Sequence, residues 1–176
     1  MFIIFNVFIS TIILKKVGST ISKLKKSIQT SSAYLSIPIK KTKKCPARLI
    51  VTSHPHSVNS ERFRALRTNL LFGQRTQGII SVLITSSVLS EGKSFVAVNL
   101  GTVLAQTNKK VLLVDADLRK PTLHTILILE NEEGLTSILL EETLDAVKVI
   151  QFASTSNLHF LLYPSNSSKL LISTQR

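Results

Sequence analysis

Residues Ile79 to Ser94 read IISVLITSSVLSEGKS, and the reading of this stretch decides the fold. Ile79–Thr85 is a short, apolar, β-branched run of the kind expected of a strand buried on both faces. A polar loop follows it, and then Phe95–Thr107 (FVAVNLGTVLAQT), which predicts a helix closed at Asn108, a residue that tolerates the left-handed cap conformation. Val111–Val114 (VLLV) predicts a second buried strand. Two such strands joined by a helix form a right-handed βαβ unit, so the fold class is α/β with a parallel sheet and flanking helices.

The loop itself runs Ser87-Val88-Leu89-Ser90-Glu91-Gly92-Lys93-Ser94. Set against the phosphate-binding pattern G-x-x-x-x-G-K-[ST], it keeps the final Gly92-Lys93-Ser94 and has Ser87 in place of the opening glycine. Small residues let backbone N–H groups wrap phosphates, the lysine reaches the terminal phosphates, and the hydroxyl of Ser94 suits a Mg²⁺ ion. The N-terminal end of the following helix adds positive potential. Three residues recur by chance; the position after a strand and at the start of a helix is what gives them meaning. Ser87, Ser90, Glu91, Gly92, Lys93 and Ser94 are therefore the candidate nucleotide-binding residues, with ATP and Mg²⁺ as the implied ligands.

The second strand runs into Asp115-Ala116-Asp117-Leu118-Arg119-Lys120-Pro121. Carboxylates at the C-terminal end of a buried parallel strand lie at the crevice where open α/β sheets bind ligands. Asp115 is the candidate to hold Mg²⁺ through water, and Asp117 the candidate to take a proton from an attacking hydroxyl. Read blandly, both are helix-start carboxylates. Lys93, Asp115 and Asp117 form the catalytic set, and Ser94 and Asp115 the metal set.

Upstream, Glu61–Phe72 (ERFRALRTNLLF) places Phe63, Leu66 and Leu70 on one helical stripe, with Ser60 as the expected N-cap. Gln74–Gly78 reads as a loop. Residues 19–48 are rich in Ser, Thr and Lys and read as a linker, within a leader that spans residues 1–47. Met1–Leu14 (MFIIFNVFISTIIL) is apolar but shorter than the roughly twenty residues of a membrane span. Three readings stand for it: the tail of a span, an interfacial anchor, or an upstream stretch that never folds. Lys15 and Lys16 after it would keep the residues beyond them in the cytoplasm.

The formal charge of the 176 residues is +12, and it is unevenly placed. The ten bases of the first sixty residues face no acid, whereas Glu61 onward holds twelve bases and ten acids. A basic leader suits an anionic membrane surface or a solvated arm. With no Trp and few aromatics there is no base-stacking platform, which argues against a nucleic-acid binder. Cys45 stands alone, so there is no disulfide framework, in keeping with a reducing compartment. His54-Pro55-His56 reads as a turn ahead of the helix rather than as a metal site.

In these motifs the chain resembles the cytoplasmic kinase domain of the bacterial tyrosine kinases of capsule and exopolysaccharide synthesis, from about Arg48 to Ser173. The family's E-x-x-R-x-x-R helix stands here as Glu61, Arg64 and Arg67, followed by Thr68 and Asn69. Its T-S-x-x-P-G-E-G-K-S loop corresponds to Thr85–Ser94, and V-D-A-D-L-R-[RK]-P is matched throughout by Val114–Pro121. Asn131, Gly134-Leu135-Thr136-Ser137 and Asn157-Leu158 match further stretches. The resemblance implies a protein-tyrosine autokinase on the cytoplasmic side of the plasma membrane. It further implies a membrane chain-length regulator as partner and self-oligomerisation through the Glu61, Arg64 and Arg67 face.

The departures are specific. Leu89 and Ser90 stand for the family's Pro-Gly, Ser165-Asn166-Ser167 for Pro-Asn-Pro, and Lys169 for Glu. The family's third nucleotide motif and its tyrosine-rich tail have no counterpart, and the two tyrosines, Tyr34 and Tyr163, are not clustered. The expected sheet is therefore incomplete at the C-terminus, and the expected kinase impaired. A non-catalytic membrane-docking scaffold is one alternative. A partitioning-type P-loop ATPase is another, weakened by the absence of an early lysine in residues 86–91.

Overall fold

The computed structural model describes residues 2–7, 48–73, 80–88, 90–117, 120–130, 132–140, 146–152 and 157–164. In chain order the elements are β1 (Phe2–Val7), α1 (Ile50–Ser53), α2 (Val58–Phe72), β2 (Ile80–Ile84), α3 (Lys93–Ala105), β3 (Val111–Ala116), α4 (Leu123–Leu127), α5 (Leu135–Leu140), α6 (Ala146–Val149), β4 (Gln151–Phe152) and β5 (Leu158–Leu161).

The strands form a five-stranded sheet in the order β2-β1-β3-β5-β4, parallel except for β4, which runs antiparallel to β5. The expected unit β2-α3-β3 is present, but its two strands are not neighbours. The N-terminal strand lies between them, pairing Phe2–Asn6 with Ile80–Ile84 on one side and Phe2–Val7 with Val111–Ala116 on the other. This corrects two expectations. The first half of the Met1–Leu14 run is a sheet strand, with Ile4 fully buried in the core, rather than a membrane segment or an unfolded stretch. The leader 1–47 accordingly contributes Phe2–Val7 to the folded domain; residues 8–47, with Tyr34 and Cys45, lie outside the described residues. A continuous apolar run without alternation suits a strand inside a parallel sheet whose two faces are both covered. No helix among the described residues is long and apolar enough to cross a membrane.

β3 is buried along its whole length, as expected. β2 is not: Ile80, Val82 and Ile84 pack on the core while Ser81 and the half-exposed Leu83 face outward. The expectation of burial on both faces fails because β2 is the edge of the sheet and only one of its faces is covered.

Helix α3 fills the main core with Ala97, Val98, Leu100, Val103 and Leu104, against Ile4, Val111, Leu113, Leu158 and Phe160. Gly101 lets it approach the sheet, since a Cβ there would lie 3.4 Å from Leu158 Cδ1 and 3.6 Å from Ile4 Cδ1. The helix begins at Lys93, two residues before the expected Phe95, and Asn108 has the expected left-handed φ of 57°.

α2 begins at Val58, capped by Ser57, whose side chain accepts the Ser60 N–H at 3.2 Å. Ser60 is thus inside the helix rather than its cap. Its buried hydroxyl bonds to the carbonyls of His54 (2.7 Å) and Ile50 (3.2 Å), which ties α1 to α2. Phe63 and Leu70 pack on the core and Leu66 does not, being 40% exposed. Phe63 meets Phe95 of α3 edge to face, with ring centroids 5.8 Å apart. Buried Asn99 joins α1 to α3, accepting from Val51 N and donating to the carbonyls of Arg48 and Phe95. The His54-Pro55-His56 stretch is the expected turn, and no cluster of potential metal ligands occurs among the described residues.

Candidate nucleotide site

The loop from Thr85 to Gly92 joins the end of β2 to the start of α3, with Leu89 outside the described residues. Two of its residues have left-handed backbones, Ser90 at φ 66° and Gly92 at φ 93°. Alternation of right- and left-handed residues turns successive N–H groups to one side, the geometry of an anion nest. Gly92 adopts this without cost, whereas a non-glycine residue such as Ser90 is strained there. Lys93 and Ser94 lie in the first turn of α3, whose N–H groups have no acceptor within the helix. Ser87, Ser90 and Glu91 are exposed, and the Glu91 carboxylate accepts the Val88 N–H at 3.3 Å, turning an acidic group onto a loop amide.

The lysine is the unusual residue. Lys93 is only 7% exposed, and its Nζ lies 3.9 Å from Oδ2 of the equally buried Asp117. A buried cation is costly unless it is paired, and structures keep one where a charge has work to do. The pairing brings Asp117, from the end of β3, to the loop. Its other oxygen, Oδ1, accepts the Lys120 N–H at 3.1 Å.

Asp115 is fully buried within β3 itself rather than just beyond it. The two-residue strand period puts it on the same face as Val111 and Leu113, the face covered by α3. Its Oδ1 accepts Asp117 N at 3.3 Å, and its Oδ2 accepts Thr122 N and Leu123 N at 3.2 and 3.0 Å. Burial pushes its carboxyl up to about 6, against the pull of those three N–H groups and with a smaller upward push from the charge of Asp117. Asp115 therefore also anchors the start of α4, a role its sequence position did not disclose.

One residue of the candidate site escaped the sequence reading. Thr122 Oγ1 lies 2.6 Å from Ser94 Oγ, joining α3 to the segment after β3. The signal available was a threonine directly after Pro121 and before an apolar run, which reads only as a helix cap.

The residues present fit a phosphate chain with a divalent cation. They supply a buried ammonium, a hydroxyl and a carboxylate suited to a hard cation, and a loop with two left-handed residues at a helix start.

The Glu61, Arg64 and Arg67 face, from which self-oligomerisation is expected, also makes contacts within the chain. Arg64 forms an ion pair with Glu61 in the same helix, and Arg67 donates from Nη1 to the Val103 carbonyl of α3 at 3.2 Å. Residues three apart on a helix are neighbours, which accounts for the first contact. The second ties α2 to the nucleotide-loop helix.

Fold and site together define a P-loop nucleotide-binding domain, and residues 82–163 match the nucleotide-binding domain shared by CobQ, CobB, MinD and ParA proteins. Within that class the chain is similar to proteins named as bacterial tyrosine-protein kinases. It is 45% identical over 128 residues to tyrosine-protein kinase YwqD of Bacillus subtilis (71% of this chain, 54% of the relative). It is 35% identical over 137 residues to the putative tyrosine-protein kinase CapB of Staphylococcus aureus (77% and 60%). The solved kinase domain of Escherichia coli tyrosine kinase ETK superposes with a TM-score of 0.61 at 32% identity, covering 82% of this chain and 60% of that one. The chimerical protein CapA2B2 gives the same TM-score at 34% identity, covering 85% and 66%. The chain thus spans little more than half the length of the two curated relatives, YwqD and CapB.

Proposed function

We propose that the chain binds ATP with Mg²⁺ at the Ser87–Ser94 loop, as the nucleotide domain of a protein-tyrosine autokinase of capsule or exopolysaccharide synthesis. The observation that carries this reading is the buried Lys93–Asp117 pair beside Ser94 and Asp115, at the start of α3. Lys93 would meet the terminal phosphates, Ser94 and Asp115 the cation, and Asp117 the proton of an attacking hydroxyl. Calorimetry with ATP and Mg²⁺ on the full chain and on Lys93→Met tests the binding. Loss of roughly ten-fold or more in affinity is expected for the variant, since a hydrogen-bonded charge contributes about 1.5–3 kcal/mol. Equal affinity in both sinks the assignment, and an anti-phosphotyrosine blot beside it tests phosphoryl transfer.

The same reading carries a membrane chain-length regulator as partner, self-assembly through α2, and a place on the cytoplasmic face of the plasma membrane. Glu61 is the exposed member of the α2 trio, and charge reversal at Arg64 should lower the oligomer mass by light scattering. The ten bases before Glu61 support salt-sensitive binding to anionic vesicles at about 1 kcal/mol per base near the surface. Neutralising Lys15, Lys16, Lys23, Lys25 and Lys26 to glutamine should abolish it; undiminished sedimentation with vesicles refutes it. A second reading, a nucleotide-dependent scaffold without kinase activity, is favoured by the strain at Ser90 and predicts nucleotide binding with no phosphotyrosine.

A further inference from the structure

Thr122 stands where the two halves of the site meet. Its hydroxyl is 2.6 Å from Ser94 Oγ on α3, and its backbone N–H reaches Asp115 Oδ2 on β3 at 3.2 Å. Thr122 is the residue before α4, the position at which a threonine oxygen ordinarily accepts an N–H of the helix's first turn. It makes no such capping bond. The nearby Leu123 N–H is taken by the Asp115 carboxylate, and the threonine hydroxyl is turned to Ser94 instead. A small helix has exchanged its own cap for a contact with the phosphate loop's hydroxyl.

The chemistry of a hydroxyl says what that exchange achieves. Serine carries one proton and two lone pairs. To face a cation, Ser94 Oγ must aim a lone pair at it and send its proton elsewhere. Thr122 Oγ1, 2.6 Å away, is an acceptor within reach for that proton.

We propose that Thr122 is a positioning residue for the divalent cation of a bound nucleotide: through one residue, its hydroxyl sets the orientation of Ser94 and its backbone N–H holds Asp115. The proposal rests on the nucleotide reading given above. Partners of this kind, which touch a metal ligand rather than the metal, typically change metal affinity by about ten-fold or more when removed. A plain packing role predicts something else, an equal loss with and without the cation.

The test measures ADP affinity of the full chain by calorimetry, once with excess Mg²⁺ and once with EDTA, for the parent, Thr122→Val and Thr122→Ser. In the parent, Mg²⁺ tightens ADP binding. In Thr122→Val, which keeps the shape and the backbone N–H, that gain should shrink roughly five- to ten-fold while the EDTA affinity stays within about two-fold. Thr122→Ser, which keeps the hydroxyl, should restore the parent's gain. Thr122→Ala cannot overfill the site; it should show the valine pattern and serves if the valine variant does not fold. A hydroxyl-free variant with the parent's full Mg²⁺ gain overturns the proposal, as does one that loses the same factor in EDTA. A parent that binds ADP equally well with and without Mg²⁺ also overturns it, leaving nucleotide binding itself intact. A parent that binds no ADP at all overturns the nucleotide reading, and the proposal with it.

Discussion

Gly134 tests how tightly α5 is seated on the sheet. It is the residue before α5, and the N–H of Leu135 donates to the Leu162 carbonyl just past β5 at 2.7 Å. A Cβ on Gly134 would overlap that carbonyl oxygen and lie 2.8 Å from its carbon and 3.3 Å from Pro164 Cδ. Backbone and ring atoms have no rotamer with which to yield, so Gly134→Ala must push α5 away by about 1 Å in a close-packed interior. The shift breaks the Leu135 hydrogen bond and leaves a buried N–H unpaired, at a cost of about 1–3 kcal/mol. Leu135 and Ile138, both buried, lose packing worth about 1–2 kcal/mol more. The sum, about 3 kcal/mol, is a large share of the roughly 5–15 kcal/mol that holds a domain folded. Urea unfolding followed by far-UV circular dichroism should show the midpoint falling by about 1–2 M at an unchanged slope. Gly73→Ala is the control, with its Cβ 3.2 Å from a single carbonyl at an exposed helix end. An alanine variant at 134 within about 0.5 kcal/mol of the parent would falsify the close approach.

Three more outcomes rest on the same geometry. Ile4→Ala should cost about 2–5 kcal/mol in urea unfolding, as a fully buried core deletion does; a change below about 0.5 kcal/mol would return Phe2–Val7 to the role of an appendage. Ser90→Gly removes a left-handed strain of about 1–2 kcal/mol but gives the unfolded chain more freedom, so stability should move little. Nucleotide affinity should nevertheless rise several-fold if the bound loop holds residue 90 left-handed more strictly than the free loop does, and calorimetry showing no gain would mean the strain is the same free and bound. Asp115 is raised from 3.8 to about 6 in the folded chain, so the folded state holds the extra proton between those values. Stability of the ligand-free protein should therefore fall as pH rises from about 4 to about 6, by up to about 3 kcal/mol from this group. The slope should vanish in Asp115→Asn; persistence of the slope would assign it to other groups.

The local grammar of the site was legible in short stretches of sequence. Gly92-Lys93-Ser94 after an apolar run, and Asp115-Ala116-Asp117 after another, announced a strand, a phosphate loop and a helix, because each rests on contacts within a few residues. The turn at His54-Pro55-His56, the left-handed Asn108 and the burial of β3 could be read for the same reason. Everything left open depends on which distant segments become neighbours. An apolar run such as Phe2–Val7 suits a bilayer and the middle of a parallel sheet equally well, since both ask only for a surface without water. Pairing with β2 and β3 decided it. The half-exposure of β2 came from its place at the edge of the sheet, which no five-residue window records. Thr122 and the contact made by Arg67 were missed on the same ground. Their partners, Ser94 and Val103, stand 28 and 36 residues away, and only the packing of α3 against the sheet and against α2 brings them within hydrogen-bond reach.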